Sequence, residues 1–203
     1  MMIDFHKNWL HRSYLVIKDK YNEIDNLDQQ IGDGDHGSNI LRGLDKVVNS
    51  FENIDINNVV DFMSEVSKLM RISMGGASGI LMTIFIKEVA NLNINNTQKS
   101  VLNIFSSTIE KIKKRGKVNI GDKSILDIYY PLHDKINNKD DFLIDEIFSS
   151  IDKSLQNTKN MEAKVGRAKF LDTKGVGVID PGAFSTSIIL KEFFREIFNE
   201  KNN

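Results

Sequence analysis

Apolar residues recur along this chain at the three-and-four spacing of a helix face, and alternating strand patterns are scarce. The first helix is predicted over 4–21, with Phe5, Trp9, Leu10, Tyr14 and Ile17 on one face. A second begins near Ser38 and carries Ile40, Leu44, Val47, Val48 and Phe51. The third carries Val59, Phe62, Met63, Val66, Leu69 and Met70, and the fourth Ile80, Leu81, Ile84, Phe85 and Val89. The fifth starts at Thr97, a plausible N-cap, and runs through Val101, Phe105, Ile109 and Ile112. The sixth holds Ile125 to Ile136, with a bend expected at Pro131. The seventh runs from Leu143 through Leu155 and past Met161, and the eighth carries Phe184, Ile188, Ile189, Phe193 and Ile197. The pattern predicts an all-α, single-domain bundle of about eight antiparallel amphipathic helices spanning 1–203, with a frayed tail over 200–203.

The predicted loops alternate in kind. Those after the first, third, fifth and seventh helices combine Gly with Asp, Ser, Lys or Arg. Those after the second, fourth and sixth are ordinary Asn, Asp and Lys connectors. In an up-and-down bundle alternate loops lie at the same end. The unusual loops therefore meet, each leading into a helix N-terminus. Such termini offer unpaired N–H groups and partial positive charge, and together make a phosphate pocket.

Composition narrows the classes. A length of 203 residues suits one domain with a sizeable core. A net charge of −1 provides no basic field for nucleic acid or an anionic membrane. The chain has no Cys, which excludes disulfides and thiolate metal sites. It has no apolar run of membrane-spanning length, and its first residues do not read as a secretory signal, so a soluble cytoplasmic protein is expected.

The densest chemistry lies between Asp28 and Asn39. Asp28, Asp33 and Asp35 fall close together, with Gly32, Gly34 and Gly37 among them. Crowded carboxylates need a cation, and a hard ion such as Mg²⁺ takes oxygen ligands and brings phosphate with it. Solvated Asp-Gly turns are the commoner use of such residues. The dinucleotide fingerprint formally matches Gly32, Gly34 and Gly37 but needs a preceding strand. A Walker A lysine is missing, and Asn39 stands where an EF-hand would need Glu. The run 75–79 lets backbone amides and the Ser78 hydroxyl approach phosphate. Arg167 is the candidate for a forked phosphate contact, and Lys117 and Lys123 are candidates to line the pocket.

Five motifs in order complete the pattern. Leu27, Asp28 and Ile31 to Gly37 come first, then Gly75 to Gly79. Arg115 to Lys117 with Gly121 to Asp127 follow, then Gly166 to Ala168, and finally Asp180 to Ala183. The chain resembles, over essentially its whole length, the ADP-binding L subunit of dihydroxyacetone kinases. The resemblance implies an eight-helix barrel with the nucleotide at one end. Asp28, Asp33 and Asp35 would ligate two Mg²⁺ ions bridging the phosphates of ADP or ATP. His36, Gly37, Ser38, Asn39, Ala77 and Ser78 would contact the phosphate side, and Gly116 and Ile125 the adenine and ribose side. Arg167 would act in catalysis, and with Asp180, Pro181 and Gly182 would close the site. Val178 departs from a His that the family often carries two residues before the Asp of Asp-Pro-Gly.

The activity implied is phosphoenolpyruvate-dependent transfer to dihydroxyacetone held on a separate K-type subunit. The donor would be a phosphohistidine subunit of the phosphotransferase system, and the chain would be monomeric on its own. Alternatives are the L subunit of an ATP-dependent kinase for dihydroxyacetone or another hydroxyketone, and a nucleotide-sensing binding module.

Overall fold

The computed structural model describes residues 2–54, 58–138 and 142–202, with the backbone alone for Met2, Ala77, Ser78 and Asn202. Among the described residues there are eight α-helices and no strand. They are α1 (Met2–Ile31), α2 (His36–Val48), α3 (Val59–Met74), α4 (Gly76–Glu88), α5 (Thr97–Gly116), α6 (Leu126–Asn137), α7 (Ile144–Thr158) and α8 (Pro181–Asn202). Each helix packs on its neighbour in sequence, and α8 returns to pack on α1, which closes the ring. The all-α class and the helix number agree with the periodicity.

An aromatic cluster fills the ring. Trp9 on α1 meets Phe85 on α4 and Phe193 on α8 edge-on, with centroids 5.8 and 5.4 Å apart. Phe85 and Phe105 both contact Tyr129 on α6. Offset and edge-on contacts of this kind add to the energy of burial. The Trp9 indole N–H donates to the Ile189 carbonyl at 3.0 Å, so its polar atom is satisfied in the core.

Helix boundaries differ from the expectation where they matter to the site. The first helix does not stop at Tyr21 but runs to Ile31. Ile17, Ile24 and Ile31 are buried at seven-residue intervals, and two helical turns carry each onto the same face. The polar residues between them hid this stripe. Asp28 consequently stands in the last turn of α1 rather than in a loop. Arg115 and Gly116 close α5, with Lys117 in the left-handed region at φ 49°. The fifth helix is preceded by Asn96, and the Thr97 hydroxyl donates to the Ile94 carbonyl. The seventh ends at Thr158, short of Met161. Residues 200–202, expected to fray, are helical, and Asn203 lies outside the described residues.

Candidate active site

The turn after α1 is built around one carboxylate. Asp28 Oδ2 accepts the backbone N–H groups of Gly34, Asp35 and His36 at 2.9, 3.0 and 3.3 Å. Gly34 sits at φ 79°, where a side chain would be strained. A Cβ on Gly32 would stand 2.2 Å from Asp28 Oδ1, so glycine leaves room for the carboxylate. The result brings one oxygen each of Asp28, Asp33 and Asp35 within 4.8 Å of one another. An all-oxygen donor set of this charge fits a hard divalent cation.

Next to the triad, His36 opens α2 and is buried, with Nε2 2.9 Å from Ser185 Oγ. Burial holds its imidazole below the usual range, against the pull of Asp28, Asp25, Asp35 and Asp33. Gly37 and Ser38 turn toward α1 instead. A Cβ on Gly37 would meet the Tyr21 carbonyl oxygen at 2.2 Å. Ser38 donates its backbone N–H (3.0 Å) and its hydroxyl to Asp25, a residue the motif reading passed over.

The junction of α3 and α4 is a single residue, Gly75, at φ 67°, with Gly76 at φ 62°. The sequence suggested a longer loop, but only the handedness of these two residues interrupts the helices. The N-cap residue Gly75 has no side chain to cap α4, and the first-turn N–H groups of a helix have no intrahelical partner. Arg42, absent from the sequence expectation, braces this junction. Its guanidinium donates to the Ser73 carbonyl at 2.6 Å, to Met74 O at 3.3 Å and to Asn39 Oδ1 at 2.6 Å. The side chains of Ala77 and Ser78 lie outside the described residues.

Between α5 and α6 the polar residues hold the loop itself. Asp127 is buried and accepts the N–H groups of Gly121 (2.6 Å) and Ser124 (2.7 Å). Burial raises its carboxyl and these bonds oppose the rise. Asp122 accepts from Asn119 N at 2.7 Å and pairs with Lys164 of the last loop at 3.5 Å. Lys123, expected as a pocket lysine, lines the cleft but spends its ammonium on the backbone carbonyls of Thr158, at the end of α7, and of Gly175 and Val178 in the segment 159–180.

That segment brings Arg167 over the triad, with Nη2 2.5 Å from Asp33 Oδ2. Its end leads into α8 through Asp180, whose Oδ1 accepts Ala183 N–H at 2.7 Å. Pro181 follows at the first helical position, where a missing N–H costs nothing. Burial pushes the Asp180 carboxyl up to about 6, with the Ala183 bond and the Lys123 charge acting the other way. Val178 packs with Ile31, Ala163 and Ala168 in a small apolar cluster. Val178 is half-buried against that cluster.

All four unusual loops thus border one cleft of about 760 Å³, a size that suits a small ligand. Asp28, Asp33, Asp35, His36 and Asn39 line one side. Gly116 and Ile125 line another, beside the apolar Leu81 and Val118. Arg167, Asp180, Pro181 and Gly182 complete the wall, whereas Gly37 and Ser38 take no part in it. The loop alternation made the meeting at one end legible. Arg42 and Asp25 had no local signal, because Ser73, Met74 and Ser38 lie 13 to 32 residues away, whereas the partners of Asp127 are near in sequence and its loop-holding role was simply not read.

The family described as DAK2 domain matches residues 30–195. The chain is 31% identical over 190 residues to the "PEP-dependent dihydroxyacetone kinase 1, ADP-binding subunit DhaL" of Listeria innocua, covering 92% of each. It is 30% identical over 193 residues to the "PEP-dependent dihydroxyacetone kinase, ADP-binding subunit DhaL" of Escherichia coli, covering 91% of this chain and 92% of that one. The fold is similar to the crystal structure of the dihydroxyacetone kinase from C. freundii in complex with AMP-PNP and Mg²⁺. The TM-score is 0.68 at 19% identity, over 92% of this chain and 32% of that one. The chain thus spans about a third of that longer kinase.

Proposed function

This chain belongs to the DAK2 domain family, and we propose that it is the ADP-binding subunit of a phosphoenolpyruvate-dependent dihydroxyacetone kinase. The observation that carries the reading is the acidic triad standing at the mouth of a cleft walled by helix N-termini. The likeness to subunits of that name, over nine-tenths of both chains, supports the activity. The closed ring of helices supports taking residues 1–203 as one L-type domain. Among the described residues no helix is long and apolar enough to cross a membrane. The reading takes the protein as cytoplasmic and monomeric on its own.

Asp28, Asp33 and Asp35 would hold two Mg²⁺ ions, which when bound neutralise charge on the nucleotide phosphates. The protein's own part is positioning. Asp28 fixes the turn that presents the other two carboxylates. The first-turn amides of α4 would face the phosphate side and offer it N–H groups, whereas those of His36 and Ser38 on α2 are already given to Asp28 and Asp25. Gly116, Ile125, Leu81 and Val118 offer an apolar wall to the base. Arg167 stands where it can move from Asp33 to a transferring phosphoryl group and stabilise its charge. No side chain in the cleft needs to act as a nucleophile. The acceptor, dihydroxyacetone, is carried by a separate K-type subunit, and a phosphohistidine subunit restores the bound nucleotide.

The experiment is purification without added nucleotide, followed by mass spectrometry and a transfer assay with K-type and donor subunits. Expected are ADP retained through gel filtration and turnover that depends on phosphoenolpyruvate. Free exchange with turnover driven by ATP would reject the coenzyme form. Binding of Mg-ADP with no transfer to any hydroxyketone would reject the kinase and leave a nucleotide sensor.

A further inference from the structure

Lys123 is 2% exposed and lies in the left-handed region at φ 61°, an unusual conformation for a residue with a side chain. Its ammonium has three N–H donors, and its three recorded partners are backbone carbonyls of one distant segment. They are Thr158 O at 2.6 Å, Gly175 O at 2.8 Å and Val178 O at 2.6 Å. Thr158 is the last residue of α7, and Val178 stands two residues before Asp180. Both ends of 159–180 are therefore tied to a single nitrogen, and Arg167 hangs near the middle of the lobe between them.

We propose that Lys123 is a positioning residue: by gathering the two ends of 159–180 on its ammonium it sets Arg167 over the acidic triad. Three further features agree. The lobe is closed inside the tie by Ala163 N–H to Lys174 O at 2.8 Å and Gly177 N–H to Lys159 O at 2.7 Å. The two loops are joined a second time through Asp122, whose carbonyl accepts Lys164 N–H at 3.1 Å. Gly175, at φ 72°, carries no Cβ where one would stand 3.3 Å from Lys123 Cε, so the lobe is shaped around the lysine stem. Burial lowers the affinity of the ammonium for its proton, and the Asp180 charge opposes that shift. Arginine is a poor substitute, since a planar fork does not match a tripod of carbonyls.

The absence of cysteine elsewhere makes a clean test possible. Lys123→Cys, alkylated in denaturant with 2-bromoethylamine and refolded, regains an ammonium on a stem of lysine length. The first readout is hydrogen exchange at the amides of Ala163, Lys164 and Gly177 in the nucleotide-free protein, which assumes nothing about function. Lys123→Cys should speed exchange there by about tenfold or more, and aminoethylation should restore protection. Unchanged exchange in Lys123→Cys overturns the tie.

The second readout is turnover, and it alone rests on the kinase reading above. Lys123→Cys should lower kcat by about 30-fold, as misplaced catalytic groups do, with Mg-ADP affinity within about threefold. In an Arg167→Ala background the same change should cost less than about threefold, because the two act as one unit. Full loss in both backgrounds, or loss of affinity equal to the loss of kcat, overturns the positioning role. Absence of transfer in the unmodified protein would instead overturn the kinase reading and leave the exchange result to judge Lys123.

Discussion

The guanidinium of Arg167 lies 2.5 Å from the carboxylate of Asp33, joining the last loop of the ring to the first. Both side chains are substantially exposed, at 71% and 42%. The pair is therefore cheap to break, on the order of 1 kcal/mol or less. A cation or a phosphate can take either partner without dismantling the fold. On the proposed reading, Asp33 would hold Arg167 in place until charge arrives in the cleft.

Arg167→Ala should separate two effects. Without its competitor for Asp33, the triad should bind Mn²⁺ in the absence of nucleotide up to about fivefold more tightly, the factor that a surface pair can contribute. Turnover should fall by about 100-fold, the usual loss when a donor to developing charge is removed. Arg167→Lys should not restore it, since one ammonium cannot reproduce the fork. Electron-spin resonance titration with Mn²⁺ reads the first effect and the coupled transfer assay the second. Weaker Mn²⁺ binding would show that Arg167 supports the triad rather than competes in it.

Asp28 and Asp33 should differ in what their loss does to the empty protein. Asp28 accepts three backbone N–H groups, so Asp28→Ala strands donors that have no other recorded acceptor. A loss of about 2 kcal/mol follows, visible in urea unfolding. Asp33→Asn disturbs one exposed pair and should stay within about 0.5 kcal/mol of the parent. Both should abolish Mg-ADP binding by calorimetry. Equal stability in the two variants would contradict the turn-forming role of Asp28.

The sequence made some of this legible and concealed the rest for identifiable reasons. Helix periodicity and the alternation of loop composition were enough for eight helices and a common rim. Glycine was ambiguous, because the same residue serves a left-handed turn at Gly34, an open junction at Gly75 and close helix packing at Gly37. Asp28 looked like a loop residue because the exposed face of α1 is polar from Asn22 onward. Lys123 looked like a pocket lysine because nothing local signals that Thr158, Gly175 and Val178 turn their carbonyls toward it.

Asp180 should leave a mark on the pH dependence of stability. Its carboxyl is raised from 3.8 to about 6 in the folded protein. The folded state therefore binds this proton more tightly than the unfolded chain. Between about pH 4 and 6 the group withdraws stability as pH rises, and above that window its cost is constant. The charges that bear on it are Lys123, which favours ionisation, and Asp127 and Asp28, which oppose it. Asp180→Asn removes the titration, so the stability of the variant minus that of the parent should grow from pH 4 to 6 and then level. Urea unfolding of the metal- and nucleotide-free proteins across that range measures the difference. A difference that stays flat would place the carboxyl near its ordinary value.

Gly37 belongs to the family motif, yet its hydrogen faces α1. An added methyl would press against the Tyr21 carbonyl at 2.2 Å, and a backbone atom cannot swing away as a side-chain tip can. Relief requires a small separation of α1 and α2 at this contact. Gly37→Ala should therefore destabilise the protein by about 1–3 kcal/mol, the range for overpacking. The fraction that stays folded should keep Mg-ADP affinity within about threefold, because no contact with the cleft is lost. Thermal melts and calorimetry on the same preparation separate the two quantities. A variant as stable as the parent that fails to bind ADP would return Gly37 to the phosphate side of the site.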